Sequence, residues 1–443
     1  MREPLEICQD LLGRVPSSLE AQVSIRVTRK ALTRFANSFI HQNVAEDSSV
    51  VTLDLADGGR TSRTTTTLID DDSFTGLVES ALASVSVNPV DPDWGGFSAP
   101  REVATVDHFD PATASCPPDE RAEVVSQFIA AGPGMKAAGF CDTTEDVVAV
   151  ANHRGFRYEG RATSAVLDGI HQTANSAGKA HRAGRSLTDI NGAVAGNEAA
   201  SIARSAVDAT DVEPGTYEVV LRPNCAATIG VFVGLYAFGG KAASEGRTQV
   251  VPGSAQFDEK VSMRDDVMDP NALGLPIDWE GTPKQRVELI SDGVGKGFVH
   301  DRRTAARMNV ESTGHDWEFA QWFGPAPTSL FIAGGDRSET EMIASVERGL
   351  LVTEFNYCRI LDPTTLFVTG LTRNGTFLIE DGRITRPVSN LRFTESFFDA
   401  LRPGNVLSMG NDARMADSEY GPRVVHAPTM HLASWNFTGG SKG

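Results

Sequence analysis

From Cys225 to Phe238 the chain reads CAATIGVFVGLYAF, without one charged residue. Ile229, Val231, Phe232, Val233, Leu235, Tyr236 and Phe238 fall all round a 3.6-residue helix, so no face of it suits water and the whole helix has to be enclosed. Asn224, just ahead, is the expected N-cap. Enclosing a helix on every side takes a large core. At 443 residues the chain is long enough to build one and too long for a single ordinary core, so two domains are expected.

Charge and cysteine usage narrow the function classes. With 58 acidic against 40 basic residues the net charge is -18, which repels nucleic acid, and no basic stripe interleaved with aromatics offsets it. No stretch reaches the roughly 18 uncharged apolar residues of a membrane span, and MREPLEICQD carries acids where a signal peptide carries an apolar run. A cytoplasmic protein that binds neither membrane nor nucleic acid is expected. The five cysteines Cys8, Cys116, Cys141, Cys225 and Cys358 are scattered without a CxxC pair, as reduced thiols would be.

The reading along the chain gives an α+β protein. Apolar spacing predicts helices over PLEICQDLLGRV, over the stretch after the acidic cap DDD, over PDERAEVVSQFIAAG and, longer, from about Leu187 to Ala209. Strands are expected over AQVSIRV onward and SSVVTLDLADGG, turning at Asp57-Gly58, and a hairpin turning at NHRG. SAGKAHRAGRS reads as a basic loop. DVEPGT marks the boundary between an N-terminal mixed α/β domain, residues 1–212, and a mainly antiparallel β domain around the buried helix, residues 213–443. There, VELISDGVGKGFV and TFLIEDGRITRPV are hairpin signals; SETEMIASVERG is a helix with Ser338 and Glu341 as a capping box and Gly349 as C-cap. The tail SKG is expected to fray.

The search for chemistry is mostly negative. GLYAFGGKA misses the phosphate-loop spacing, with Leu235 where the first Gly belongs and Ala242 in place of the Ser or Thr that would hold magnesium after Lys241. In HAPTMH, Pro428 disfavours a helix and an odd strand separation sends His426 and His431 to opposite faces, so packing roles are expected. His300 and His315 have no acid at ligand spacing. Asp265, Asp266 and Asp269 lack the central Gly and terminal Glu of a hard-cation loop and read as a solvated cluster. There is no HExxH and no GxSxG. Cys358 is the most interesting thiol, although an ordinary buried cysteine accounts for it.

Four stretches together resemble the TldD/PmbA family: VVAVANHRGFRYEGRATSAVLDGI, YEVVLRPNCAATIGVFVGLYAFGGKAASEGRT, PIDWEGTPKQRVELISDGVGKGFVHDRRTAAR and TFLIEDGRITRPVSNLRFTESFFDAL. The run from Asp278 to Gly293 is the most specific. The TldD branch of that family is a zinc peptidase with HExxxH on the helix after the VVL-x-P strand and a further cysteine ligand near the C-terminus. Here Val231, Phe232 and Tyr236 stand where His, Glu and His would fall, and GPRVVHAPTMHLASWNFTGG has no cysteine. Zinc needs about three protein ligands and an open position, and neither valine nor phenylalanine offers a lone pair.

The resemblance therefore implies the TldE branch: no catalytic residue, no metal ligand and no cofactor in this chain, with zinc in a TldD-like partner subunit and peptides as substrates. The strand-like stretch with Thr353, Glu354, Asn356, Tyr357 and Cys358 is expected to line the peptide groove and offer it backbone hydrogen bonds. The insert-like FDEKVSMRDDVMDPNALGL departs from the family pattern, so partner geometry is expected to differ. Two other readings stay open: a self-associating, peptide-binding homodimer without a peptidase partner, and an independent enzyme with a different site around Cys358 or the histidines.

Overall fold

The computed structural model describes residues 2–419 and 425–440; the tail Ser441 to Gly443 lies outside them. The N-terminal half is a six-stranded antiparallel sheet with helices on one face. Its strands are β1 (Glu20–Ala36), β2 (Phe39–Asp57), β3 (Arg60–Thr66), β4 (Lys136–Asn152), β5 (Arg157–Gln172) and β6 (Ala177–Gly184), in the order β3-β2-β1-β4-β5-β6. The helices are α1 (Pro4–Gly13), α2 (Asp71–Val87), α3 (Pro111–Ala114), α4 (Pro118–Ala130) and α5 (Gly192–Ser205).

Period-two alternation decides what each face meets. Val23 and Ile25 of β1, Leu53 and Leu55 of β2 and Ala149 and Ala151 of β4 point to α1 and α2, joining Leu11, Phe74 and Leu77. Further along the same sheet Phe35, Cys141 and Leu167 meet Phe128 of α4 and Ala195 and Ala199 of α5. The intervening residues face the C-terminal half: Val148 and Val150 pack with Phe156 and Ile277, and Gln22 Nε2 donates to the Glu280 carbonyl at 2.7 Å. The expected turns are present. Gly58 (φ 55°) and Gly59 (φ 85°) close β2 onto β3, and Gly155 (φ 92°) with Asn152, whose Oδ1 accepts from Arg154 and Phe156, closes β4 onto β5. Beyond the reach of β3, residues 42–50 of β2 form an outer edge that faces no other strand among the described residues.

The C-terminal half surrounds one helix. β7 (Gly215–Leu221) leads into α6 (Pro223–Ala237) and the short α7 (Gly240–Ser244). A small six-stranded sheet begins with β8 (Met263–Asp265), β9 (Val287–Ser291), β10 (Val294–Gly295) and β11 (Leu330–Ile332), interrupted by α8 (Arg302–Met308) and α9 (Ala320–Phe323), and is completed by Val425–Ala427 and Arg414–Ala416. Then come α10 (Glu339–Ser345), β12 (Arg348–Asp362), β13 (Phe367–Glu380), β14 (Arg383–Pro387), β15 (Leu391–Ser396), α11 (Phe397–Ala400), β16 (Val406–Met409), β17 (Arg414–Ala416), β18 (Val425–Ala427) and β19 (Met430–Gly440). Strands β12, β7, β19, β15 and β13 pair in that order and β13 pairs back to β12, so they close a ring; only the β12–β7 pair is parallel. Closure removes the sheet edges. Inside it Phe355, Phe393, Phe397 and Trp435 stack with centroids 4.6 to 6.4 Å apart.

Four local expectations are corrected. SAGKAHRAGRS is mainly β6, because its small residues let α5 lie on it: a Cβ on Gly178 would come within 2.1 Å of the Ala199 carbonyl. The helix expected from Leu187 starts at Gly192, capped by Asn191, after a 3-10 turn at Leu187–Asp189. Gly349 is no C-cap but a residue of β12 opposite Glu218; α10 has ended at Ser345, with the Ser338/Glu341 capping box as expected. Arg222, not Asn224, caps α6, because Pro223 takes the first helical position that its fixed φ suits. No helix among the described residues is long and apolar enough to cross a membrane.

Candidate functional site

α6 lies between the closed ring and the small sheet, and nearly all of it is buried. Gly230 and Gly234 let it sit directly on its neighbours: added Cβ atoms would fall 2.8 Å from Ile332 and 3.0 Å from Pro327. Val231, 4% exposed, closes an apolar niche with Leu235, Trp317 and Leu330. Phe232 turns its ring edge-on to Phe397 at 5.5 Å and lies 5.9 Å from Tyr236. Burial pushes the Tyr236 phenol above its ordinary range, so it is held as a neutral hydroxyl. The side chains at 231, 232 and 236 do not fit a zinc ion. Two are hydrocarbon, and the third would have to ionise where burial opposes it.

Other ligand candidates find protein partners. Asp265 is fully buried, not solvated as its sequence context suggests: it accepts from His315 Nε2 at 2.9 Å and Ser329 N at 2.6 Å, with Lys284 Nζ at 3.6 Å. Burial alone would raise its carboxyl; Lys284 and His315 outweigh that and hold it well below the usual range. The expectation that His315 has no acid is overturned, because the chain folds back over a separation of 50 positions to bring Asp265 beside it. Asp266 and Asp269 face Arg264 and Arg286. His300 bonds Thr304, His426 lies over Phe331 and His431 bonds Glu218 at 2.7 Å. Lys241 donates to the Trp322 carbonyl. Cys358 is fully buried, and burial drives its thiol pKa well up, which leaves little thiolate.

The groove stretch lies on β12. Up to Val352 that strand pairs with β7 on one side and β13 on the other; beyond it only the β13 pairing continues. Thr353 is buried, with Oγ1 donating to the Gly375 carbonyl at 2.9 Å, and the Cys358 N–H is donated to Glu419. Asn356 is half-buried. Tyr357, at φ 56°, is the exposed member, with Arg359 over its ring at 4.1 Å.

Glu354 belongs to a cluster that the sequence did not reveal. Lys179 of β6 reaches across to the C-terminal half, its Nζ 2.8 Å from Glu354, 2.7 Å from Asp417 and 3.2 Å from Asp168. His181 Nδ1 lies 3.1 Å from Asp168. Burial alone would lower Lys179; the three carboxylates outweigh it and raise its pKa, so the ammonium stays charged. Asp168, His181 and Asp417 are near enough together to hold an ion, but Lys179 already supplies the positive charge between them. No spacing in the sequence joins residues 168, 179, 354 and 417; only the packing of β6 against β13 and β17 does.

Compared with known proteins, residues 214–439 match the PmbA/TldA metallopeptidase C-terminal domain, just over half of the chain. A metalloprotease TldD homolog of Haemophilus influenzae is 30% identical over 130 residues, 29% of this chain and 27% of that one. The metalloprotease PmbA of Escherichia coli O157:H7 is 29% identical over 139 residues, 31% of this chain and 28% of that one. The chain thus aligns with little more than a quarter of the length of either relative. The crystal structure of TldE from Thermococcus kodakarensis superposes with a TM-score of 0.87 over 98% of this chain and 99% of that one, at 17% identity, a likeness of fold. The chain belongs to the PmbA/TldD metallopeptidase family.

Proposed function

We propose that this chain is a non-catalytic, TldE-like subunit that pairs with a TldD-type zinc metallopeptidase and helps to enclose the peptides which that partner cleaves. One observation carries the reading. Where a family zinc site would need a histidine, a glutamate and a histidine on the central helix, Val231, Phe232 and Tyr236 pack into the core; α6 carries no imidazole, and its one thiol, Cys225, is fully buried and turned to the Val352 carbonyl. Without ligands no metal lowers the pKa of an attacking water, and the glutamate that would take its proton is missing too. The helix keeps its packing role. A cytoplasmic location suits all five cysteines being free thiols.

Tyr357 stays the groove residue with an exposed side chain; Thr353 and Glu354 contribute shape there, while the Cys358 N–H and carbonyl are committed to Glu419 and Arg359. The test is a tagged pull-down from the native host, followed by peptidase assays on the separated and recombined proteins. Recovery of a zinc-carrying homologue with HExxxH, and peptide hydrolysis that needs both chains and is abolished by a chelator, is the expected result. Stoichiometric zinc in this chain alone, or chelator-sensitive hydrolysis by it alone, would overturn the proposal.

A further inference from the structure

A sizeable cavity lies at neither the central helix nor the groove strand. It is a cleft of about 790 Å³ between the two halves, within the size range of ligand sites. One wall is β2 and β3 with the segment 88–97; the other is Trp279 and Glu280, the start of α8, and residues 316–324. Three of the chain's five tryptophans, Trp94, Trp279 and Trp317, converge on it.

The charges lining this cleft do not balance, and the imbalance has one sign. Each basic residue is engaged. Arg63 pairs with Asp54 at 2.7 Å, Arg303 with Asp91 at 2.8 Å and Arg307 with Asp93 at 2.6 Å, and Lys241 is held by the Trp322 carbonyl. Arg302 is buried and spends its guanidinium on Gln22, Thr282, Ser98 and the Glu280 carbonyl, with Nε 4.0 Å from Glu280 Oε2. The acids are left over. Asp301 is only 7% exposed; its Oδ1 caps α8 through Thr304, and among the described residues its Oδ2 has no partner although it lines the cavity. Asp316 has no hydrogen bond or ion pair to its carboxylate among the described residues, and Glu280 offers a second oxygen beyond the one that accepts from Arg302 N.

Burial, with neighbouring carboxylates adding to it, pushes Glu280 up to about 7 and Asp316 well above its ordinary range. Such groups hold protons for want of a counter-charge. A lone metal ion is a poor candidate, because the set of carboxylates, imidazoles and thiols that converges as ion ligands lies at Asp168, not here. Carboxyl groups that would ionise if given a counter-charge, set beside indole rings, suit an organic cation, which both attract.

We propose that the interdomain cleft is a binding site for an aliphatic ammonium or guanidinium group, as carried by a lysine or arginine of an extended peptide or by a free polyamine. The rings of Trp94 and Trp317, the face of Trp279 that Arg26 does not cover, the carboxylates of Asp301 and Asp316 and the free oxygen of Glu280 together recognise the cation. This site is separate from α6 and does not depend on whether the chain pairs with a zinc subunit.

The experiment uses the full chain by itself and follows tryptophan emission and calorimetry as four probes are added: Ac-Ala-Lys-Ala-NH2, its norleucine analogue, spermidine and magnesium chloride. The lysine peptide is expected to bind at least tenfold tighter than the norleucine peptide, more weakly at high salt, and to lose that preference in D316N and in E280Q. D316N serves if E280Q fails to fold, and circular dichroism distinguishes loss of fold from loss of binding. Spermidine binding with no lysine-peptide binding would support the cation site and assign it to a free amine. Equal binding of the lysine and norleucine peptides, an equal response to magnesium, no response to any probe, or an unchanged preference in folded D316N would overturn it.

Discussion

At the scale of single residues, the same acidic side chain is driven in opposite directions by its neighbours. Asp265, between Lys284, His315 and the Ser329 N–H, is held ionised; Glu280, in a cleft short of cations, is pushed toward its neutral form. The linkage signs follow. The depressed carboxyl of Asp265 stabilises the fold above the ordinary carboxylate range, and that contribution is lost as pH falls through its folded value. Asp265→Asn should lower stability by about 3 kcal/mol at pH 7, since it strands Lys284 and His315 in the interior. Urea unfolding at pH 7 and again well below pH 3.8 measures this, the difference from the native protein shrinking only at the lower pH. Glu280 runs the other way. Its folded value near 7 lies above its ordinary 4.5, so its stabilising contribution is complete below 4.5 and is lost as pH rises to 7. E280Q should flatten the decline in unfolding midpoint across that window; an equally steep decline in the variant would count against this assignment.

At the scale of elements, what was legible in the sequence was what is decided locally. The hairpins at Gly58, Gly155, Asp292-Gly293 and Asp381-Gly382 were readable because a left-handed turn demands particular residues whatever surrounds it. The burial of α6 was readable from composition. β6 was not, because AGKAHRAG has no β-branched residue; its strand form comes from pairing with β5 under α5, and propensity yields to that contact. The buried charge clusters were illegible for a related reason: they join residues from different elements, 50 positions apart for Asp265 and His315 and 238 for Lys179 and Asp417, and no periodicity records them. Docking of α6 itself depends on small residues. Gly230→Val should place methyl groups inside the space of Ile332 and Leu330 and cost about 1–3 kcal/mol by overpacking, read as a fall in thermal midpoint. An unchanged midpoint would mean that β11 gives way more easily than its buried position indicates.

For the whole molecule, many polar contacts fasten the halves, Gln22 to Glu280, Arg303 to Asp91, Arg307 to Asp93 and Arg414 to Glu198 among them. Lys179 is the chief one, carrying a positive charge from β6 into three carboxylates, two of them in the C-terminal half. Lys179→Met should leave Asp168, Glu354 and Asp417 facing one another and destabilise the protein by about 3–5 kcal/mol, more than removing a surface ion pair could. Glu354→Gln in the same background should restore part of the loss, because it takes away one of the unmatched charges. Differential scanning calorimetry of the single and double variants decides it; no recovery in the double variant would show that Lys179 contributes through its packed stem.

The outer edge of β2 has a consequence for handling the protein. Along residues 42–50 the backbone groups on that side find no strand, and Val44 and Val50 are exposed beside them. Glu46 and Asp47 stand in the middle of the run like bollards, keeping like edges from stacking into fibrils through mutual repulsion. Replacing both with alanine should leave the monomer's melting point almost untouched and yet make concentrated solutions turn cloudy on standing, with light scattering rising faster than in the parent protein.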